Sequence, residues 1–329
     1  MRAIVQDTYG TADVLELRDV DRPEIGDNEV LVRVHAAGLD RGVWHLMTGL
    51  PYFVRLILPD LGRRGPTNPV RGSDVAGVVE AIGKDVTRFK AGDEVFGVGI
   101  GSFADYTRVL ENKLALKPTN LSFEQAAVIP ISGLTALQAV RDEGQIQPGQ
   151  KVLIIGASGG VGTFAVQIAK SFGADVTGVC STTKVDFVRS LGADHVIDYT
   201  REDFAEKEHY YDVILDNGGH SSLSHLRRAL TPKGTLVIVG AETNGRWFGG
   251  FDRSIRAMLL SRFVSQKLVA FVSSENAEDL IAIKELVEAG EVMPAIDRTF
   301  SLSEVPKAMH YLVEGHARGK IAITMNGES

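Results

Sequence analysis

The chain holds a single cysteine, Cys180, in 329 residues. One thiol closes no internal disulfide and builds no multi-cysteine zinc cluster, so structural zinc held by thiolates is excluded within one chain. No stretch approaches eighteen uninterrupted apolar residues, and Met1-Arg2-Ala3-Ile4-Val5-Gln6-Asp7 lacks the long apolar core of a secretory signal. A soluble, cytoplasmic protein without an integral membrane segment is expected. A basic excess is missing too. The formal net charge is −7, and Lys and Arg are scattered apart from short clusters such as Arg63-Arg64 and Arg227-Arg228, which argues against a nucleic-acid partner. Internal repeats and low-complexity linkers are absent. What the chain does have is apolar content: 44% of its residues are hydrophobic, enough for a sizeable core, and its length suggests two domains.

Residues 1–120 read as short strands between polar turns. Examples are Glu29–His35, Asp74–Glu80 and Asp93–Val98, separated by Gly26-Asp27-Asn28, Gly83-Lys84-Asp85 and Ala91-Gly92-Asp93, the pattern of a barrel-like β domain. Over residues 121–273 strands and helices alternate. Apolar runs at 151–155, 175–180, 195–199, 211–216, 234–240 and 267–272 are nearly continuous, as in parallel strands covered on both faces. Six such strands predict a doubly wound α/β sheet. Residues 274–329 carry helices near 277–289 and 303–314, a β-like 296–300 and a last strand at 320–324. A tail of this size cannot bury its own apolar faces, so it is expected to return and complete the first domain.

The most informative local feature is Gly156-Ala157-Ser158-Gly159-Gly160-Val161-Gly162, entered from the apolar run Lys151–Ile155 and left through Phe164–Lys170, which is patterned as a helix. A strand that turns into a helix through small residues brings backbone N–H groups and the positive end of a helix dipole against a diphosphate. The context predicts a dinucleotide. A mononucleotide P-loop is disfavoured because Thr163-Phe164 follows the turn where Gly-Lys-Ser/Thr would be needed. About twenty residues on, where an NAD site places a carboxylate on the ribose, the chain has Cys180-Ser181-Thr182-Thr183-Lys184. Ser181 and Lys184 can bind a 2′-phosphate that a carboxylate would repel, so NADPH is expected over NADH. The alternative reading makes Ser181 a helix cap and Lys184 a solvated surface charge.

With Ala36–Asp40, Gly72–Gly77, Phe89–Gly97, Gly133–Ala136, the glycine turn and Leu191–Asp194 in this order, the chain resembles the medium-chain dehydrogenase/reductase superfamily, in its zinc-free quinone oxidoreductase and enoyl reductase branch. The resemblance spans essentially the whole chain. It implies a Rossmann doubly wound parallel sheet inserted into a GroES-like β-barrel domain, with the cofactor in a cleft between them. It also implies cofactor contacts at Thr135, Tyr199, the loop after Val239-Gly240, and Phe271-Val272. From the residues alone Thr135 reads equally as a helix cap and Tyr199 as a packed aromatic.

The same resemblance bears on metal. Zinc enzymes of the superfamily carry cysteine where this chain has Asp40 and a His-Glu pair where it has Ser73-Asp74, and their later cysteine has no counterpart near Ile129–Gly133. Two poor ligands do not make a catalytic zinc site, so no metal is expected. His45 matches the place of a proton-relay histidine, and reads alternatively as a packed residue beside Trp44. Tyr52 matches an active-site tyrosine of quinone reductases and reads alternatively as a wall residue. Asp40, His45 and Tyr52 are expected to line the substrate pocket.

Without a Lewis acid, hydride transfer to a simple ketone lacks support for the developing alkoxide, whereas a conjugated acceptor spreads that charge into an enolate. An NADPH-dependent reductase of a small hydrophobic quinone or α,β-unsaturated carbonyl is therefore expected. The rivals are a zinc-free NADP-dependent alcohol dehydrogenase or aldehyde reductase, and an NADPH-binding regulatory or structural protein without turnover. The apolar stretch 52–59 reads as buried core, a lid or a membrane contact. Ala257–Leu260 and 267–272 are candidate surfaces for a homodimer.

Overall fold

The computed structural model describes residues 1–53, 55, 61–62, 65–206, 208–240 and 245–325. They form two compact units. One comprises Met1–Leu134, Glu275–Gly290 and the chain from Pro294 onward, the other Thr135–Ser274 with Glu291–Met293.

The first unit starts with β1 (Arg2–Val5), β2 (Glu16–Asp19), β3 (Glu29–Leu39), β4 (Asp74–Ile82), β5 (Glu94–Val98), β6 (Tyr106–Leu110) and β7 (Leu114–Leu116). The long β3 is the hub: it pairs antiparallel with β4 along one edge and with β6 by its first half. Val30, Val32 and Val34 alternate inward on it while Arg33 points out, the period of a sheet with one wet face. Together with Val75, Phe103 and Val109 they form one core, each large side chain contributing about 1.5–3 kcal/mol by leaving water.

The second unit is a six-stranded sheet of β8 (Lys151–Ile155), β9 (Asp175–Cys180), β10 (His195–Asp198), β11 (Tyr211–Asp216), β12 (Leu230–Ile238) and β13 (Lys267–Ala270). The order is β10-β9-β8-β11-β12-β13 and every pairing is parallel. This is the doubly wound arrangement whose strand order reverses between β8 and β11. Leu153, Ile214, Leu236 and Leu268 are buried in a core with Leu226 and Ala257 of the covering helices. β13 stops at Ala270, so Phe271 and Val272, read from sequence as strand, lie beyond its end.

The chain then returns as β14 (Ile296–Ser301) and β15 (Lys320–Thr324). β15 pairs antiparallel with the last residues of β3, Ile321 facing Leu39, and brings Ile321 and Ile323 into the first core. Residues 121–134, grouped by the strand–helix alternation with the second domain, belong to the first unit. Their physical anchors are Asp74, which accepts the Ile131 N–H at 2.9 Å, and Gly133, which lies against Ile283. Among the described residues no helix is long and apolar enough to cross a membrane.

Candidate active site

The glycine turn joins β8 to the helix Gly160–Ser171. Gly156 has φ +75, a backbone setting that a side chain disfavours. The N–H groups of Gly156 and Ala157 donate to the Val179 carbonyl at 3.2 and 3.1 Å, locking the turn to the end of β9. Gly159 enters the helix extended and forms no side-chain cap. The first intrahelical bond closes from Thr163 N–H to Gly159 O, so the N–H groups of residues 160–162 have no intrahelical acceptor and remain for an anion. A Cβ on Gly162 would stand 2.1 Å from the Gly156 carbonyl oxygen. At the strand-order reversal Asn217 donates to Ile155 O through its Nδ2 at 3.1 Å, while its Oδ1 is buried and accepts no hydrogen bond. A diphosphate on the turn and a hydroxyl on Asn217 fit these groups.

Ser181, Lys184 and Tyr199 gather where β9 and β10 end. Tyr199 N–H donates to Cys180 O at 3.1 Å, and the ring is 62% exposed, which removes the packed-aromatic reading. Ser181 precedes a short helical turn without making a side-chain cap bond, so its hydroxyl is not used as a cap. Lys184 is half-buried. The carboxylate nearby is Asp198, and its oxygens are engaged: Oδ2 accepts from Thr182 at 2.5 Å and Oδ1 from the Thr200 N–H and hydroxyl at 3.0 and 2.7 Å. Those bonds, the one from Thr182 foremost, hold its pKa below the ordinary value. Burial pushes the adjacent Cys180 thiol up to about 11, so it stays protonated at neutral pH.

Thr135 sits inside the helix Pro130–Gln138 rather than at its cap. Its hydroxyl shares a hydrogen bond of 2.9 Å with Ser273, next to Phe271-Val272, and Val272 is 83% exposed. Val239 and Gly240 donate their N–H groups to Asp216 O at 3.1 and 3.0 Å. A Cβ on Gly240 would lie 2.3 Å from Asn217 O, so this loop is pressed against the switch point.

In the first unit the helix Arg41–Thr48 carries His45, with Asp40 just before it and Tyr52 beyond its C-terminus. Asp40 is its N-cap, Oδ1 accepting from Val43 N–H at 3.1 Å. His45 Nδ1 lies 2.9 Å from Leu50 O; a carbonyl only accepts, so Nδ1 is the donor of this bond. Trp44 packs edge-on against the imidazole. Arg55 donates to the carbonyls of Thr48 and Gly49 at the helix C-terminus and lies over the Tyr52 ring at 4.9 Å. Of the apolar stretch 52–59, residues 54 and 56–59 lie outside the described residues. Asp40→Ala is expected to lower stability by about 1 kcal/mol through loss of the cap, measured by urea denaturation; an unchanged midpoint would mean that Val43 N–H finds another acceptor.

Family models for an "Alcohol dehydrogenase GroES-like domain" match residues 26–119 and for a "Zinc-binding dehydrogenase" residues 191–323. The chain is 35% identical to the mouse mitochondrial NAD(P)H oxidoreductase RTN4IP1, over 99% of its own length and 89% of that protein. It is 34% identical to the chloroplastic NADPH-dependent alkenal/one oxidoreductase of Arabidopsis thaliana, over 98% and 79%. The solved quinone oxidoreductase of Coxiella burnetii superposes with a TM-score of 0.86 at 30% identity, covering 99% of each chain. The chain belongs to the medium-chain dehydrogenase/reductase superfamily, in its quinone oxidoreductase branch. As such it is an NAD(P)-dependent oxidoreductase.

One matching family model is named for zinc. In this medium-chain dehydrogenase/reductase Asp40 Oδ1 caps a helix, and Asp74 accepts from Ile131 N–H and from the Lys320 ammonium. Among the described residues no three of His, Cys, Asp and Glu come close enough to hold a metal ion.

Sequence reasoning missed Asn217, Arg55, Lys320 and Arg253. Arg253, from the helix Phe251–Leu260, ion-pairs with fully buried Asp216 at the end of β11. The Asn217-Gly218-Gly219 run after a buried strand was the available signal for the first. Lys320 and Arg253 act through contacts between distant segments that no local pattern reports, and Arg55 through bonds back to Thr48 and Gly49.

Proposed function

We propose that the chain reduces quinones or α,β-unsaturated carbonyl compounds with NADPH, without zinc, as a cytosolic homodimer. The observation that carries the cofactor choice is the group Ser181, Lys184 and Tyr199 at the ends of β9 and β10, with Asp198 already bonded to Thr182 and Thr200. A hydroxyl and an ammonium there suit a 2′-phosphate, each charge-assisted bond contributing roughly 1.5–3 kcal/mol. The chemistry that bound NADPH supplies is donation of a hydride.

The chain's own residues bind, orient and move a proton. The glycine turn and the first turn of Gly160–Ser171 hold the diphosphate, Asn217 Oδ1 accepts from a ribose hydroxyl, and Thr135 with Phe271-Val272 orients the nicotinamide half. Tyr52 gives its phenolic proton to the oxygen of an enolate, and the phenolate left behind is reprotonated from solvent, with His45 as the relay that takes a proton up and passes it on. A conjugated acceptor suits this equipment because its charge arrives on an oxygen that hydrogen bonds can stabilise. The names of the Arabidopsis alkenal/one and Coxiella quinone oxidoreductases agree with that class. Exposed Ile255, Met258 and Leu259 on the helix Phe251–Leu260 beside β13, at one edge of its sheet, support a homodimer.

The test is NADPH oxidation with an enone, the matching saturated ketone and a quinone, before and after dialysis against EDTA. Turnover of enone or quinone at least about tenfold above the ketone, unchanged by EDTA, is expected. Equal rates on enone and ketone would favour an alcohol dehydrogenase, and tight NADPH binding with no oxidation a protein without turnover.

A further inference from the structure

Lys320, the first residue of β15, is a lysine with a side chain only 1% exposed. Its Nζ donates to Ser132 Oγ at 2.9 Å and to Asp74 Oδ2 at 3.3 Å, and stands 4.0 Å from Asp40 Oδ2. Asp74 is fully buried and Asp40 nearly so. An ammonium is costly to bury unless it is paired. This one is faced by two carboxylates, one hydroxyl and, among the described residues, no second cation within ion-pair distance. Burial, with Asp40 adding to it, raises the Asp74 carboxyl to about 7 against the opposing pull of Lys320.

Asp40 is the member that reaches the chemistry. Its Oδ1 fixes the first turn of Arg41–Thr48, while its Oδ2 is buried and receives no hydrogen bond. A carboxylate with one oxygen bound and the other bare would turn in its site; the cation opposite Oδ2 prevents this. Gly38 keeps the approach open, since a Cβ there would meet Asp74 Oδ2 at 2.9 Å.

We propose that Lys320 is a positioning residue, an internal ammonium that orients the Asp40 carboxylate and, through that cap, sets the helix bearing His45. The role of that helix in turnover rests on the function proposed above; the electrostatic network does not. It gives the site a built-in monovalent cation held by the last strand of the first unit.

The experiment compares Lys320→Met, Asp74→Asn and the double variant in the full chain, by thermal melting and by the His45 imidazole resonance in NMR. Lys320→Met is expected to lower Tm by roughly 10 °C, because a buried pair that loses one partner leaves an uncompensated charge. Adding Asp74→Asn should recover more than half of that loss, and Lys320→Arg should melt nearer the wild type than Lys320→Met. The His45 resonance moves in Lys320→Met while that of His195, in the second unit, stays. With an accepted substrate, kcat of Lys320→Met falls about tenfold and the Kd for NADPH is unchanged. Additive Tm losses in the double variant, or an unmoved His45 resonance, overturn the proposal. Absence of turnover in the wild type would overturn the function above and leave the melting and NMR comparison to decide this one.

Discussion

Gly162→Val is expected to raise the Kd for NADPH by on the order of 100-fold, about 2.8 kcal/mol at about 1.4 kcal/mol per tenfold. The reason is steric. Even the first carbon of a side chain would stand 2.1 Å from Gly156 O and 2.8 Å from Ala157 backbone atoms, so the helix must back away from the strand end. Displacement carries its N–H groups off the diphosphate, and those groups act only when aligned. Gly159→Ala is the matched control: its φ is −85 and its nearest contact 3.4 Å, so binding should change less than about threefold. Fluorescence titration of NADPH checks both, with circular dichroism to confirm folding. Wild-type affinity in folded Gly162→Val would show that the turn does not grip the cofactor.

Lys184→Ala is expected to weaken NADPH by about 10- to 100-fold and NADH by less than about twofold, the loss of one charge-assisted bond to a phosphate that only NADPH carries. Lys184 is half-buried at the end of β9, where Coulomb attraction is less screened than on an open surface. The effect should therefore persist at physiological salt and shrink towards molar salt. Titrations with both cofactors at two ionic strengths measure it. Equal loss for both would mean that Lys184 supports the turn after β9 rather than reading the 2′-phosphate.

The second unit was legible because its strands are buried on both faces and announce themselves as unbroken apolar runs. The readings at 175–180 and 211–216 coincide with β9 and β11, and the errors are confined to ends such as Phe271-Val272. The first unit was harder. β2 is Glu-Leu-Arg-Asp and wholly exposed, β7 only three residues long; neither offers an alternating pattern to detect. The far end of β3 passes through Ala36-Ala37-Gly38, poor strand formers, and Gly38 has no room for a side chain because Asp74 and the Ala127 carbonyl press against it. The glycine turn and Ser181 were readable as local chemistry. Lys320 was not, since a lysine opening a strand reads as solvated until Asp40 and Asp74 arrive from the other end of the chain.

The pairing of Ile321 with Leu39 also dictates a timetable for synthesis. All six strands of the second sheet, from Lys151 to Ala270, leave the ribosome before β15 does, so that sheet can close while the first unit still exposes the free edge of β3 and an apolar core missing Ile321 and Ile323. Nascent chains held short of Lys320 should thus protect the second unit from protease and leave the first open to chaperones. A chain cut short before Lys320 would spare the second sheet and release an aggregation-prone edge.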